Sequence, residues 1–132
     1  MQGMTTPRSA IILFAHGARD PRWAEPFMRL AARIASSLPD TAVRLAFLEL
    51  MQPSLLDCIG ALVDQGIEQV TVVPAFMAQG AHLREDLPKL IDEARGRYAG
   101  VRIELTEALG EVDVVLEAMA RWVVERNPDA AE

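Results

Sequence analysis

The sequence predicts an α/β fold: an open, four-stranded parallel sheet in the order 2-1-3-4, with helices on both faces, within a single domain. Three observations predict it. Four apolar runs alternate with four stretches of helical spacing, the pattern of successive βα units. The runs are consecutive in apolar residues rather than alternating, which suits strands covered on both faces. Four units are too few for an eight-stranded barrel. At 132 residues the chain is read as one domain, residues 1–132, large enough to bury a core without disulfides.

A short polar start, Met1 to Arg8, precedes the first strand at about Ala10 to Ala15, where Ile11, Ile12, Leu13 and Phe14 run together. His16-Gly17-Ala18-Arg19-Asp20-Pro21 turns into a helix ending near Leu38. Asp20 suits the N-cap and Pro21 the first position. Phe27, Leu30, Ala31, Ile34, Ala35 and Leu38 share one helical face. Pro26 lacks the donor an interior position needs, so regular helix is expected to begin near it. Pro39-Asp40 is a turn. The second strand spans Val43 to Leu48 and runs into Glu49. Pro53 opens a second helix with Leu55, Leu56, Ile59, Leu62 and Val63 inward, and Gly66 is its expected C′ residue. Val70 to Phe76 is the third strand, with Pro74 at its end. A connection of about ten residues, Ala75 to Glu85, carries Gly80 and His82, longer than the typical 2–6 residues. Asp86 caps a third helix reaching about Arg97, with Leu87, Leu90, Ile91 and Ala94 inward. Val101 to Leu105 is the fourth strand. A last helix spans Val112 to Arg126, with Val115, Leu116, Met119, Trp122 and Val123 on one face, and Asn127-Pro128 ends it.

The composition excludes several classes of function. Hydrophobic residues make up 51% and charged residues 24% of the chain, which is globular rather than disordered. The net charge of −6 opposes general nucleic-acid binding, which needs a basic face. One cysteine permits no disulfide within the chain and fits a reducing cytoplasm. Cys58 falls inside the apolar pattern of the second helix and reads as a small buried hydrophobe. The first apolar run is too short for a signal core. Nothing approaches the roughly 18 apolar residues of a membrane span.

The chemistry belongs where the strand order reverses, beyond the carboxyl ends of the strands. In the order 2-1-3-4 that point lies between strands 1 and 3. His16 directly follows strand 1 and His82 follows strand 3; they are the only histidines of the chain. Glu49 follows strand 2, beside strand 1. Two imidazoles suit divalent ions such as Co²⁺, Ni²⁺, Fe²⁺ or Zn²⁺. Two histidines and one carboxylate suit an open site that leaves positions for water or substrate, not a closed structural zinc site. The sequence AHGARDP has neither a GxGxxG pattern nor a Walker lysine. Arg19, Arg22 and Arg84 flank the histidine turns as candidate clamps for an anionic ligand.

Three blocks, AHGARDP after strand 1, FLEL after strand 2 and VVPAFMAQGAHLREDLP after strand 3, resemble the CbiX-type sirohydrochlorin chelatases over about Ile11 to Val123. The resemblance implies the chelatase-like fold in its small, single-domain form, which pairs as a homodimer. It implies insertion of Co²⁺ into sirohydrochlorin on the way to cobalamin, with Fe²⁺ or Ni²⁺ used by related members and no organic cofactor. The family's metal-handling histidines match His16 and His82, and its acidic residue matches Glu49. Ala18 departs from the serine that many members carry after the His-Gly pair. Sirohydrochlorin carries many carboxylates, so Arg19, Arg84 and Gly80 are the candidate macrocycle-binding positions. Met51, Phe76, Met77 and Leu83 are candidate apolar contacts.

Chelation replaces two pyrrole protons by a divalent ion. His16 and His82 can hold the ion, and a neutral histidine or an ionised Glu49 can accept the protons. A histidine phosphatase also uses a histidine after strand 1, but needs an arginine just before it, where this chain has Ala15. A non-catalytic carrier of metal or tetrapyrrole is the remaining alternative.

Overall fold

The computed structural model describes residues 7–131; the polar start expected at Met1 to Arg8 falls mostly outside them. Strands β1 (Ser9–Ala15), β2 (Thr41–Phe47), β3 (Gln69–Pro74) and β4 (Arg102–Leu105) form one sheet. Its order is β2-β1-β3-β4 and every pairing is parallel. Helices α1 (Glu25–Ser37), α2 (Leu55–Asp64), α3 (Ala81–Arg97) and α4 (Asp113–Val124) complete the alternation. The expected class, order and element count therefore hold.

Side chains along each strand point alternately to the two faces. Ala10, Ile12 and Phe14 of β1, with Val70, Val72 and Ile103, face α2 and α3 and join Leu55, Ile59, Leu62, Leu87, Ile91 and Ala94 in the main core. The opposite face carries a smaller cluster, Ala15, Ala24 and Phe47, against which Trp23, Phe27, Leu45, Met51 and Ala75 pack. Cys58 is buried in the main core, and burial pushes its thiol up to about 11, with nearby Arg44 opposing the shift.

The helix ends follow local chemistry. A short 3-10 helix, Pro21–Ala24, begins after Asp20, whose carboxylate accepts the Arg22 N–H at 2.9 Å. Regular α1 then starts with Pro26 in its first turn, as the missing donor requires. Ser54, not Pro53, caps α2, accepting the Asp57 N–H at 3.2 Å. Pro53 instead closes the preceding loop, its carbonyl accepting the Phe47 N–H at 2.9 Å. At the other end Gly66 (φ +90°) turns the chain; its N–H reaches the Val63 carbonyl and the Ile67 N–H reaches that of Leu62, the paired bonds of a Schellman stop.

Two expectations are corrected. The connection after β3 is shorter than Ala75 to Glu85, because α3 begins at Ala81 with Gly80 as its N-cap. The Arg84 N–H closes the first turn onto the Gly80 carbonyl at 3.0 Å, and half-buried Leu83 packs on the main core. Asp86 therefore lies inside the helix and caps nothing. Pro88 sits in the helix interior, where it removes one backbone bond without ending the helix. The second correction concerns α4. Its apolar face forms as the spacing predicts, but none of its residues is buried. Trp122 and Val123 are 59% and 61% exposed, and Arg126 lies over the Trp122 ring at 4.7 Å.

Candidate active site

The carboxyl ends of β1, β2 and β3 are tied together by main-chain contacts. Parallel pairing of β1 with β2 continues past the strands: the Leu48 N–H donates to Ala15 O at 2.8 Å and the Glu49 N–H to His16 O at 3.0 Å. Gly17 has φ +95°, a conformation that side chains disfavour. It also lies so close to the neighbouring loop that a Cβ there would sit 1.9 Å from the Glu49 carbonyl oxygen. Glycine is thus required twice over, and the His16 and Glu49 turns are interlocked through backbone.

On its other side β1 is joined to the exit of β3. The His16 ring stacks on Phe76, with centroids 4.3 Å apart, and Phe76 meets Phe14 edge-on at 5.9 Å. His16 itself remains exposed. Its imidazole stands on an aromatic column rooted in the core. Phe76 is held by Gly110, whose N–H donates to the Phe76 carbonyl at 2.8 Å. Gly110 lies in the short 3-10 helix Leu109–Glu111. A Cβ at Gly110 would overlap the Met77 main chain.

His82 occupies the second position of α3 and is exposed. Glu49 is exposed as well. Among the described residues no group of three or more His, Cys, Asp or Glu side chains is placed to hold a metal ion. His16, Glu49 and His82 are each exposed, and the expected gathering of all three into one cluster is not seen.

The basic residues divide into two kinds. Arg22 is engaged by both carboxylate oxygens of Asp20, at 2.9–3.2 Å. That guanidinium holds the Asp20 carboxyl below its ordinary range, and Asp20 raises Arg22 in return. Arg84 pairs with Glu111 at 3.0 Å and reaches the Gln79 carbonyl at 3.4 Å, so it braces the connection before α3. Arg19 is exposed and makes no side-chain hydrogen bond or ion pair among the described residues. Gly80 caps α3 with an extended backbone (ψ 169°).

Of the apolar candidates, Met77 is 64% exposed, whereas Phe76 is buried beneath His16. Met51 and Leu83 pack against the two cores. Sequence reasoning missed Leu48 and Leu50, which are 42% and 60% exposed beside Glu49, because apolar residues flanking a strand end read as core. It also missed Glu111 and Gly110, which carry no motif and lie far along the chain from their partners. A groove of about 470 Å³ adjoins the rim, lined by Phe27 and Leu30 of α1, Phe76 and Met77, and Val115 and Met119 of α4.

Comparison with known proteins gives a consistent relationship. The CbiX family model matches residues 10–126. The sirohydrochlorin cobaltochelatase of Saccharolobus solfataricus is 31% identical over 121 residues, covering 87% of this chain and 93% of its own. Among solved structures, a putative cobalamin biosynthesis CbiX protein from Marinobacter aquaeolei VT8 superposes with a TM-score of 0.78 at 39% identity, covering 89% of this chain and 96% of that one. The sirohydrochlorin chelatase SirB from Bacillus subtilis subspecies spizizenii, solved in complex with cobalt, gives 0.72 at 26% identity, covering 86% of this chain and 49% of that one.

Proposed function

This chain belongs to the CbiX family, and we propose that it is a sirohydrochlorin cobaltochelatase, inserting Co²⁺ into the macrocycle in cobalamin biosynthesis. The observation that carries this reading is the relationship to a cobaltochelatase along 87% of the chain. His16 and Glu49 in the turns that follow β1 and β2, and His82 in the first turn of α3 after β3, support the same chemistry.

In this reading His16 and His82 hold the incoming ion through imidazole nitrogen, weakly enough to release it. The ion is a substrate, and the positions the protein leaves open go to water and then to pyrrole nitrogen. Each turnover expels two protons from the macrocycle, and the Glu49 carboxylate is the acceptor beside His16. The aromatic column under His16 fixes the ring while its edge stays in solvent. Arg19, unpaired among the described side chains, draws a macrocycle carboxylate. Arg84, already braced by Glu111, and Gly80, the N-cap of α3, meet the macrocycle from the start of that helix. Ni²⁺ and Fe²⁺ ask for similar ligands, so the donor set favours cobalt over neither of them.

A second copy of the chain completes the enclosure. The bare apolar face of α4 and the groove between α1 and α4 supply surface for it, since contiguous exposed apolar patches mark association sites.

The test is to mix protein, sirohydrochlorin and Co²⁺ and follow the macrocycle absorbance. Acceleration over the uncatalysed reaction is expected, with large rate losses in His16→Ala and His82→Ala that retain the wild-type fold. A wild-type rate equal to the protein-free rate would sink the assignment. Initial rates with Co²⁺, Ni²⁺ and Fe²⁺ rank the metals.

A further inference from the structure

Leu50 is the only non-glycine residue with a left-handed backbone among the described residues, at φ +66°. For an L-residue with a γ-branched side chain this conformation is unfavourable, and glycine or asparagine would adopt it more cheaply. The surrounding bonds impose it. The Met51 N–H donates back to the Glu49 carbonyl at 2.8 Å, a bond spanning only two residues that folds the chain tightly about Leu50. Both flanks are anchored. The Glu49 N–H is held by His16 O, and the Phe47 N–H reaches Pro53 O at 2.9 Å, while Met51 packs into the smaller core. Gly17 lies so close to the Glu49 carbonyl that a Cβ there would overlap it.

The leucine side chain gives the fold little in return. It belongs to neither core cluster and is 60% exposed. A residue that suits neither its backbone nor its surroundings is characteristic of a functional site. Leu50 immediately follows the proposed proton acceptor Glu49, on a loop bonded to His16. A tetrapyrrole presents wide apolar faces between carboxylate-bearing edges, so a site that binds one needs exposed apolar groups beside its polar ones.

We propose that Leu50 is a substrate-contact residue, an apolar stud held by a strained turn against the face of the macrocycle beside Glu49. The proposal rests on the chelatase reading. It predicts an opposition between stability and binding at one position. Leu50→Asn and Leu50→Gly relieve the backbone while removing the apolar surface. Leu50→Met keeps the surface.

The experiment measures three quantities for each variant: the thermal midpoint, the affinity for sirohydrochlorin without metal by fluorescence titration, and steady-state chelation with saturating Co²⁺. The expected midpoints of Leu50→Asn and Leu50→Gly are no lower than wild type within about 2 °C, because strain relief offsets other losses. Their dissociation constants and KM rise roughly tenfold, as loss of a largely buried leucine contact implies, with kcat within about twofold. Leu50→Met stays within about threefold in affinity, as a volume-conserving exchange. Affinity of Leu50→Asn within twofold of wild type overturns the proposal, as does a midpoint lowered by several degrees, which makes the leucine structural. So does loss of self-association at unchanged sirohydrochlorin affinity, which makes Leu50 a contact to a second copy. Wild-type protein that neither binds nor metallates sirohydrochlorin defeats the chelatase reading itself, and this proposal with it.

Discussion

Gly17→Ala tests how the rim is held together. A methyl carbon there would lie 1.9 Å from the Glu49 carbonyl oxygen and 3.1 Å from its carbon, where ordinary contact begins at 3.4 Å. The two turns must therefore part by about 1.5 Å. The left-handed backbone at φ +95° costs an alanine about 1–2 kcal/mol. Parting the turns also breaks the bond from the Glu49 N–H to His16 O, worth about 1 kcal/mol. The sum is about 2–3 kcal/mol, or a fall of roughly 8–13 °C in the thermal midpoint of a chain this size. Gly66→Ala is the internal control. Gly66 also has a positive φ, yet nothing lies within 4 Å of a Cβ placed there. It should lose only the backbone part, about 4–8 °C, and keep its chelation rate. Gly17→Ala should lose on the order of a hundredfold in rate at a temperature where it is fully folded, since displacements near 1 Å carry that penalty. A Gly17→Ala variant no less stable than Gly66→Ala, with chelation within twofold of wild type, would refute the interlock.

Two further outcomes follow from the fold. Burial pushes the Cys58 thiol from its ordinary value of 9.0 up to about 11. The folded state thus holds this proton more tightly than the unfolded state does. Stability from it is complete below about pH 9 and falls as pH rises toward 11, by at most about 1.4 kcal/mol for each pH step of one. Urea unfolding between pH 8 and 10.5 should show that decline, and an equally steep decline in Cys58→Ala would remove its assigned cause. Trp122→Glu, on the bare face of α4, should convert a species of twice 14.5 kDa to the single chain in sedimentation, with little change in secondary structure. Wild-type protein sedimenting as a monomer at high concentration would end the pairing proposal.

The sheet was legible because its signals are local. Unbroken apolar runs such as Ile11 to Phe14 mark strands covered on both faces, and parallel crossovers constrain their order. The rim followed from that order, which places the turns after β1, β2 and β3 side by side. What was hidden depends on contacts between distant residues or on backbone angles. His-Gly reads as a turn, but nothing in those letters reveals that Gly17 abuts Glu49. Arg84 reads as a free cation, and its partner Glu111 stands 27 residues away. Leu50 passes in the sequence as one more apolar residue of the FLEL block after the second strand, since a positive φ leaves no mark on a leucine. The start of α3 was misplaced because Asp86 has a side chain that suits an N-cap, whereas the actual cap, Gly80, has none and marks no helix start.

The two faces of the sheet explain why α4 misled in a different way. Periodicity states which side of a helix is apolar, not what covers it. On the side of α2 and α3 the strands meet two helices that bury Leu55, Ile59, Leu62, Leu87, Ile91 and Ala94. On the other side α1 buries no residue completely, and α4 packs chiefly against the short helix that precedes it. Neither helix closes the space between them, and the groove left there opens beside Phe76, the support of His16. Whatever fills that groove touches the aromatic column directly. In the proposed pairing, a second copy docking on α4 would fix the Phe76 ring from outside, and with it the tilt of the His16 imidazole. Association and metal handling would then be linked through one side chain. The effect of Trp122→Glu on chelation should accordingly exceed its effect on the stability of the isolated chain.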